Sequence, residues 1–157
     1  MFEFHGWATI RVRDADKPVF DGFRSSIRSA EDRAIKQIRA AINEVHDECS
    51  VFEIRRSQNG LIVLIVHGLR DSHLSGVIEL FWWLGRTLPN SYGLLHVRDD
   101  EREGHEHQFR VWRLANGKLA EYVDPFLSLR VPAIEEPSAP NLDSPKENTN
   151  HINKQPR

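Results

Sequence analysis

The chain has 157 residues, 39% of them hydrophobic and 28% charged, with a formal net charge of -2. That length suits one domain with a core that needs no staples, and the near-neutral balance argues against a general nucleic-acid binder. Cys49 is the single cysteine, which excludes an internal disulfide framework, and the longest apolar run, Leu61 to Val66, is far short of the ~20 residues a membrane-crossing helix needs. With no basic region and apolar run at the N-terminus, no secretory leader is expected, and the reducing cytoplasm is the expected compartment.

The first predicted element is a strand from Phe2 to Val12. Phe2, Phe4, Gly6, Ala8, Ile10 and Val12 alternate with Glu3, His5, Trp7, Thr9 and Arg11, so one face suits a core and the other is polar around one indole. A loop over residues 13–22 leads to a helix whose apolar stripe is Ile27, Ala30, Ala34, Ile35, Ile38, Ala41, Ile42 and Val45. Ser29 with Asp32, or Ser26 for an earlier start, is the expected cap. Cys49, near the end of that stripe, reads as a small buried apolar residue.

Strands at residues 51–56 and 61–69 flank Asn59-Gly60, which suits a type I′ turn. The second of them is apolar at successive positions and is expected to be covered on both faces. A second helix runs from about Leu74 to Leu88, capped by Ser72 and ended by Pro89. Its expected stripe is Leu74, Val77, Ile78, Phe81, Trp82, Gly85 and Leu88, which leaves Trp83 nearly opposite. Tyr92 to Arg98 reads as a strand. A hairpin then pairs residues 108–114 with 118–123 around Asn116-Gly117.

The order β-α-β-β-α-β-β-β predicts an α+β fold: a mostly antiparallel sheet with two helices on one face, a ferredoxin-like core plus a C-terminal hairpin. Residues 1–134 form the expected single domain. Residues 135–157, rich in Pro, Asn and Lys, form an expected disordered tail.

The segments Phe4-His5-Gly6-Trp7-Ala8-Thr9-Ile10, Val66-His67-Gly68-Leu69-Arg70, Ser91 to Glu101, Phe109 to Leu114 and Asp124-Pro125-Phe126-Leu127-Ser128 resemble the bacterial immunity protein 7 family in their order and spacing. The resemblance covers roughly residues 2–134 and omits the tail. It implies a small cytoplasmic α+β protein of a polymorphic toxin system that binds and neutralises a cognate toxin C-terminal domain, with no catalytic motif. An adaptor that binds some other protein is the alternative.

Chemical motifs are few. The chain has no P-loop, no G-x-S-x-G and no dinucleotide fingerprint, so no enzyme and no cofactor are expected. His105-Glu106-His107 lacks the paired ligands of a structural zinc site, so no metal is expected either. A small enzyme would need a cleft lined by His5, His67 or His96. His67 and His96, in apolar strands, read as hydrogen-bonded core or edge histidines.

Two surfaces are candidates for partner binding. From Asp99 to Glu106 there are five carboxylates and one arginine, and Asp99, Asp100, Glu101 and Glu103 suit steering toward the basic cleft of a toxin such as a nuclease. A solvated hairpin loop is the plain alternative. Trp7, His5, Arg11, Arg110 and Trp112 form the second candidate if the helices leave one sheet face open. The competing arrangement, the favoured one, has Pro125 to Pro132, which carries enough apolar residues, fold back over that face and turn the tryptophans into core. Trp83, expected on the helix exterior, suits a partner or a homodimer contact.

Overall fold

A computed structural model describes residues 1–12, 24–70, 76–106 and 108–127. Its elements in chain order are β1 (Phe2–Ile10), α1 (Arg24–Val45), β2 (Ser50–Arg56), β3 (Ile62–Arg70), α2 (Gly76–Thr87), β4 (Tyr92–Asp99), β5 (Phe109–Ala115) and β6 (Lys118–Val123). The Ser72 cap, the loop from residue 13 to 22 and the tail fall outside the described residues.

All six strands form one antiparallel sheet in the order β2-β3-β1-β4-β5-β6. The first four strands give the order 2-3-1-4 of a ferredoxin-like core, and the β5–β6 hairpin extends the β4 edge. The expected α+β architecture is therefore present.

Register decides what each face carries. Phe4 lies beside Gly68 and Val97, and Ala8 beside Leu64 and Gly93, so Phe2, Phe4, Ala8 and Ile10 share a face with Ile62, Leu64, Val66, Leu95 and Val97. Both helices pack there: Ala34, Ile38 and Ile42 of α1 and Val77, Leu80, Phe81 and Leu84 of α2 join these strands in one buried cluster. Gly93 is what lets β4 lie so close to β1. A Cβ at that position would stand 2.1 Å from the Trp7 carbonyl oxygen and 2.7 Å from the Ala8 Cα.

Several local expectations change. Helix α1 begins at Arg24, so Ser26 and Ser29 lie inside it and neither caps it. In the β2–β3 hairpin only Gly60 has positive φ (84°), and the Gly60 N–H bonds the Ser57 carbonyl at 3.0 Å. A tight turn closed by one left-handed glycine replaces the type I′ turn, because Ser57 and Leu61 still pair and three residues span the gap. The two-residue loop with both φ positive is Asn116 (51°) and Gly117 (72°), between the paired Ala115 and Lys118.

In α2 the buried residues are Val77, Leu80, Phe81, Leu84 and Gly85. The core direction is rotated toward Leu80 and Leu84 relative to the expected stripe. Trp82 becomes the exposed indole, 52% accessible with Arg86 5.5 Å over its ring, while Trp83 is half-buried against the core. Strand β3 is central in the sheet yet not covered on both faces, since Ile65 and Leu69 are exposed. A strand gains two hydrogen-bonded neighbours from its place in the sheet, but the second face needs a second layer.

Candidate partner-binding face

The face away from the helices is built by the other half of each strand's alternation. Across β3, β1 and β4, the register sets Ile65-Trp7-Leu94 in one row and His67-His5-His96 in the next. Val51 on β2 and Val111 and Tyr122 on β5 and β6 continue the second row. Six large apolar or aromatic side chains of this face are exposed: Trp7, Val51, Ile65, Leu69, Tyr92 and Tyr122. Singly scattered apolar residues are ordinary on a surface, but six on one sheet face mark it as a candidate contact surface.

The aromatic rings here are held in place. Trp7 meets Tyr92 edge-on with centroids 6.1 Å apart, and the Arg11 guanidinium lies 5.7 Å from the Tyr92 centroid. Hydrogen bonding with Thr9, then with Arg11, holds the Tyr92 phenol below its ordinary range. Farther along, Arg113 lies 5.2 Å over the Tyr122 ring and donates to its hydroxyl at 3.0 Å.

Polar groups tie the face to its surroundings. His5 Nε2 is 3.0 Å from Glu3 Oε1, and Arg98 Nε is 3.3 Å from Glu3 Oε2. After β6 the chain turns onto this side. Asp124, only 1% exposed, reaches His96 Nδ1 at 2.6 Å and accepts the Phe126 and Leu127 N–H groups at 2.8 and 3.0 Å. Burial tends to raise the Asp124 carboxyl, but these donors outweigh it and the net shift is downward. His96 is thus hydrogen-bonded as expected, whereas His67 and Cys49 are exposed. Cys49 misses the helix stripe because α1 ends at Val45, and its N–H bonds the Asp47 carboxylate at 3.1 Å in the turn before β2.

The expected fold-back of residues 125–132 lies within the described chain only to Leu127. With Trp7 at 40% exposure, its indole is surface and not core.

The expected cluster of Trp7, His5, Arg11, Arg110 and Trp112 divides between the two faces. Trp7, His5 and Arg11 share the open face. Arg110 and Trp112 pair with Val97 and Leu95 and so lie on the helix side, where Trp112 packs on the core. There Arg110 Nε is 3.0 Å from Glu121, which also takes Arg102 at 2.5 Å. Burial works to raise the Glu121 carboxyl, and the two arginines more than offset it. Trp83 lines a groove between α1 and α2 with Ala40, Ala41 and Val45.

The acidic loop follows β4 at the Glu3 end of the open face. Asp100 and Glu101 lie against the Met1 amino group, the Asp99 carboxylate accepts the Glu101 N–H at 3.1 Å, and Glu103 is exposed. Nearby, Glu3, His5, Glu48, Cys49, His67 and Leu69 line a shallow groove of about 520 Å³. Among the described residues no three His, Cys, Asp or Glu side chains converge as metal ligands, and His107 lies outside them. No helix among them is long and apolar enough to cross a membrane.

Sequence reasoning missed Tyr92, Tyr122, Ile65, Leu69 and Arg113. The signal available for β3 was its Ile65-His67-Leu69 half, whose histidine marks a face in contact with water.

Fold and face together define a small α+β domain with a ferredoxin-like core and one exposed apolar sheet face. The family described as Immunity protein 7 matches over residues 1–136, and the chain belongs to that family, whose members are immunity proteins of toxin–immunity systems. No curated protein and no solved structure matches it.

Proposed function

We propose that this chain protects the cytoplasm of the cell that makes it by binding one cognate toxin domain through the open sheet face and covering the toxin's active site, without chemistry of its own. The observation that carries this reading is the six exposed apolar and aromatic side chains gathered on that face, bordered by stacked arginines. Tryptophan, tyrosine and arginine are the residue types that most often anchor interfaces. The acidic loop at the end of the face adds steering toward a basic cleft, of the kind a nuclease toxin presents.

The test is co-expression with the toxic C-terminal domain encoded beside this chain, scoring survival and recovering the complex by affinity purification. Survival with a stoichiometric complex is the expected result. Trp7→Ser should weaken the complex by about tenfold or more while changing stability by less than about 1 kcal/mol. Continued killing with folded, soluble protein and no complex would instead assign the face to an adaptor function.

A further inference from the structure

We propose that the toxin surface seated on the open face carries carboxylates opposite Arg11 and Arg113, so that the complex docks in a single orientation. This rests on the toxin-binding reading above and adds the chemistry of the partner. Of the four described arginines on this face, two are committed: Arg55 pairs with Glu53 at 2.6 Å and Arg98 with Glu3 at 3.3 Å. Arg11 and Arg113 are exposed and have no carboxylate partner among the described residues. Each is instead laid against a tyrosine, Arg11 at 5.7 Å from Tyr92 and Arg113 at 5.2 Å from Tyr122.

A guanidinium fixed on an aromatic ring keeps an outward fork of N–H donors and has lost much of its rotamer freedom before any partner arrives. The acceptor that fits such a fork bidentately is a carboxylate or a phosphate. The surroundings select between them. Arg113 is the cross-strand neighbour of Leu94, which is in turn the neighbour of Trp7, so these donors border apolar surface that a folded protein covers and a solvated phosphate backbone does not. Of the acidic loop, Asp100 and Glu101 lie by the Met1 amino group at the Glu3 end of the face, while Asp99 and Arg102 turn to the helix side. Glu3 and Arg11 are separated by roughly 25 Å along β1 at ~3.3 Å per residue, so the face is negative at one end and positive at the other. A partner with the opposite polarity fits one way round. Turned by half a revolution, it sets like charges together at both ends.

The measurement is binding of the full-length chain to its toxin domain, by kinetics and at equilibrium, for wild type, Arg11→Gln/Arg113→Gln and Arg11→Glu/Arg113→Glu, with thermal melts of each. The expected result is that charge reversal raises Kd about a hundredfold, mostly through faster dissociation, at unchanged melting temperature. The Gln pair should lose less, and reversal of an acidic residue on the toxin should restore at least tenfold of the loss. Should the Glu pair unfold, the Gln pair and the toxin-side reversals still decide the matter. Wild-type affinity in the folded variants overturns this inference and leaves toxin binding intact. Failure of wild type to bind the toxin at all overturns both. Retention of a labelled DNA or RNA oligonucleotide by wild type, lost in the Glu pair, would assign the arginines to phosphate and overturn the protein-carboxylate assignment.

Discussion

The Asp124 carboxylate joins three donors, the Phe126 and Leu127 N–H groups and His96 Nδ1, at a position only 1% exposed. Its folded-state value is lowered, so it contributes stability above its unfolded value of about 3.9, and that contribution is lost as pH falls through the folded value. Glu121, lowered by Arg102 and Arg110 against the opposing effect of burial, acts in the same direction. Asp124→Asn should therefore cost about 1–3 kcal/mol at neutral pH, and its melting temperature should fall less steeply than wild type below about pH 4. Melts from pH 3 to 7 check this, and parallel curves for the two proteins would separate Asp124 from the acid transition. Nothing in the sequence announced this contact. His96 and Asp124 are 28 residues apart, and only the turn after β6 brings them together. Trp7 was legible because it stands alone among polar neighbours in a strand of clean alternation. Trp112 was not: period two groups Arg110, Trp112 and Leu114, but pairing with β4 decides which face the group joins.

At the scale of elements, strand positions, hairpin sites and the buried stripe of α1 followed from periodicity and from the two Asn-Gly pairs, while the turn type at Asn59-Gly60 and the phase of α2 did not. Apolar residues run almost all round α2, so the stripe centre was poorly defined between Trp82 and Leu84. The consequence is measurable. Leu84→Ala, in a fully buried site, should cost about 2–5 kcal/mol, whereas Trp82→Ala should cost less than about 1 kcal/mol. Urea unfolding of the pair distinguishes this phase from the one in which Trp82 faces the core. The β1–β4 contact offers a second test. Gly93→Ala places a methyl group against the backbone of Trp7 and Ala8, where no side chain can move aside, and should cost about 3 kcal/mol. A Gly93→Ala protein as stable as wild type would mean that the two strands separate freely.

For the whole molecule, a net charge of -2 conceals a strong local polarity. The loop from Asp99 to Glu106 is partly neutralised by the Met1 amino group, which faces Asp100 and Glu101, while its own Arg102 is drawn to Glu121. Replacing Asp99, Asp100, Glu101 and Glu103 with Asn or Gln should slow association with the toxin domain by about tenfold at low ionic strength and flatten its salt dependence. Stopped-flow rates at low and physiological salt decide it, and unchanged rates would remove the loop from the encounter.

Strand β1 is made first, yet it occupies an interior place between β3 and β4, whose residues end at Arg70 and Asp99. During translation its two hydrogen-bonding edges are not both paired until Asp99 has left the ribosome, a delay of about 5 to 20 s at ~5–20 residues per second. Assembly of the sheet is a late, nonlocal event, and chains of this topology fold slowly for their size. A cell relying on this chain for protection is guarded only by copies whose synthesis is already finished, so timing of expression matters as much as affinity.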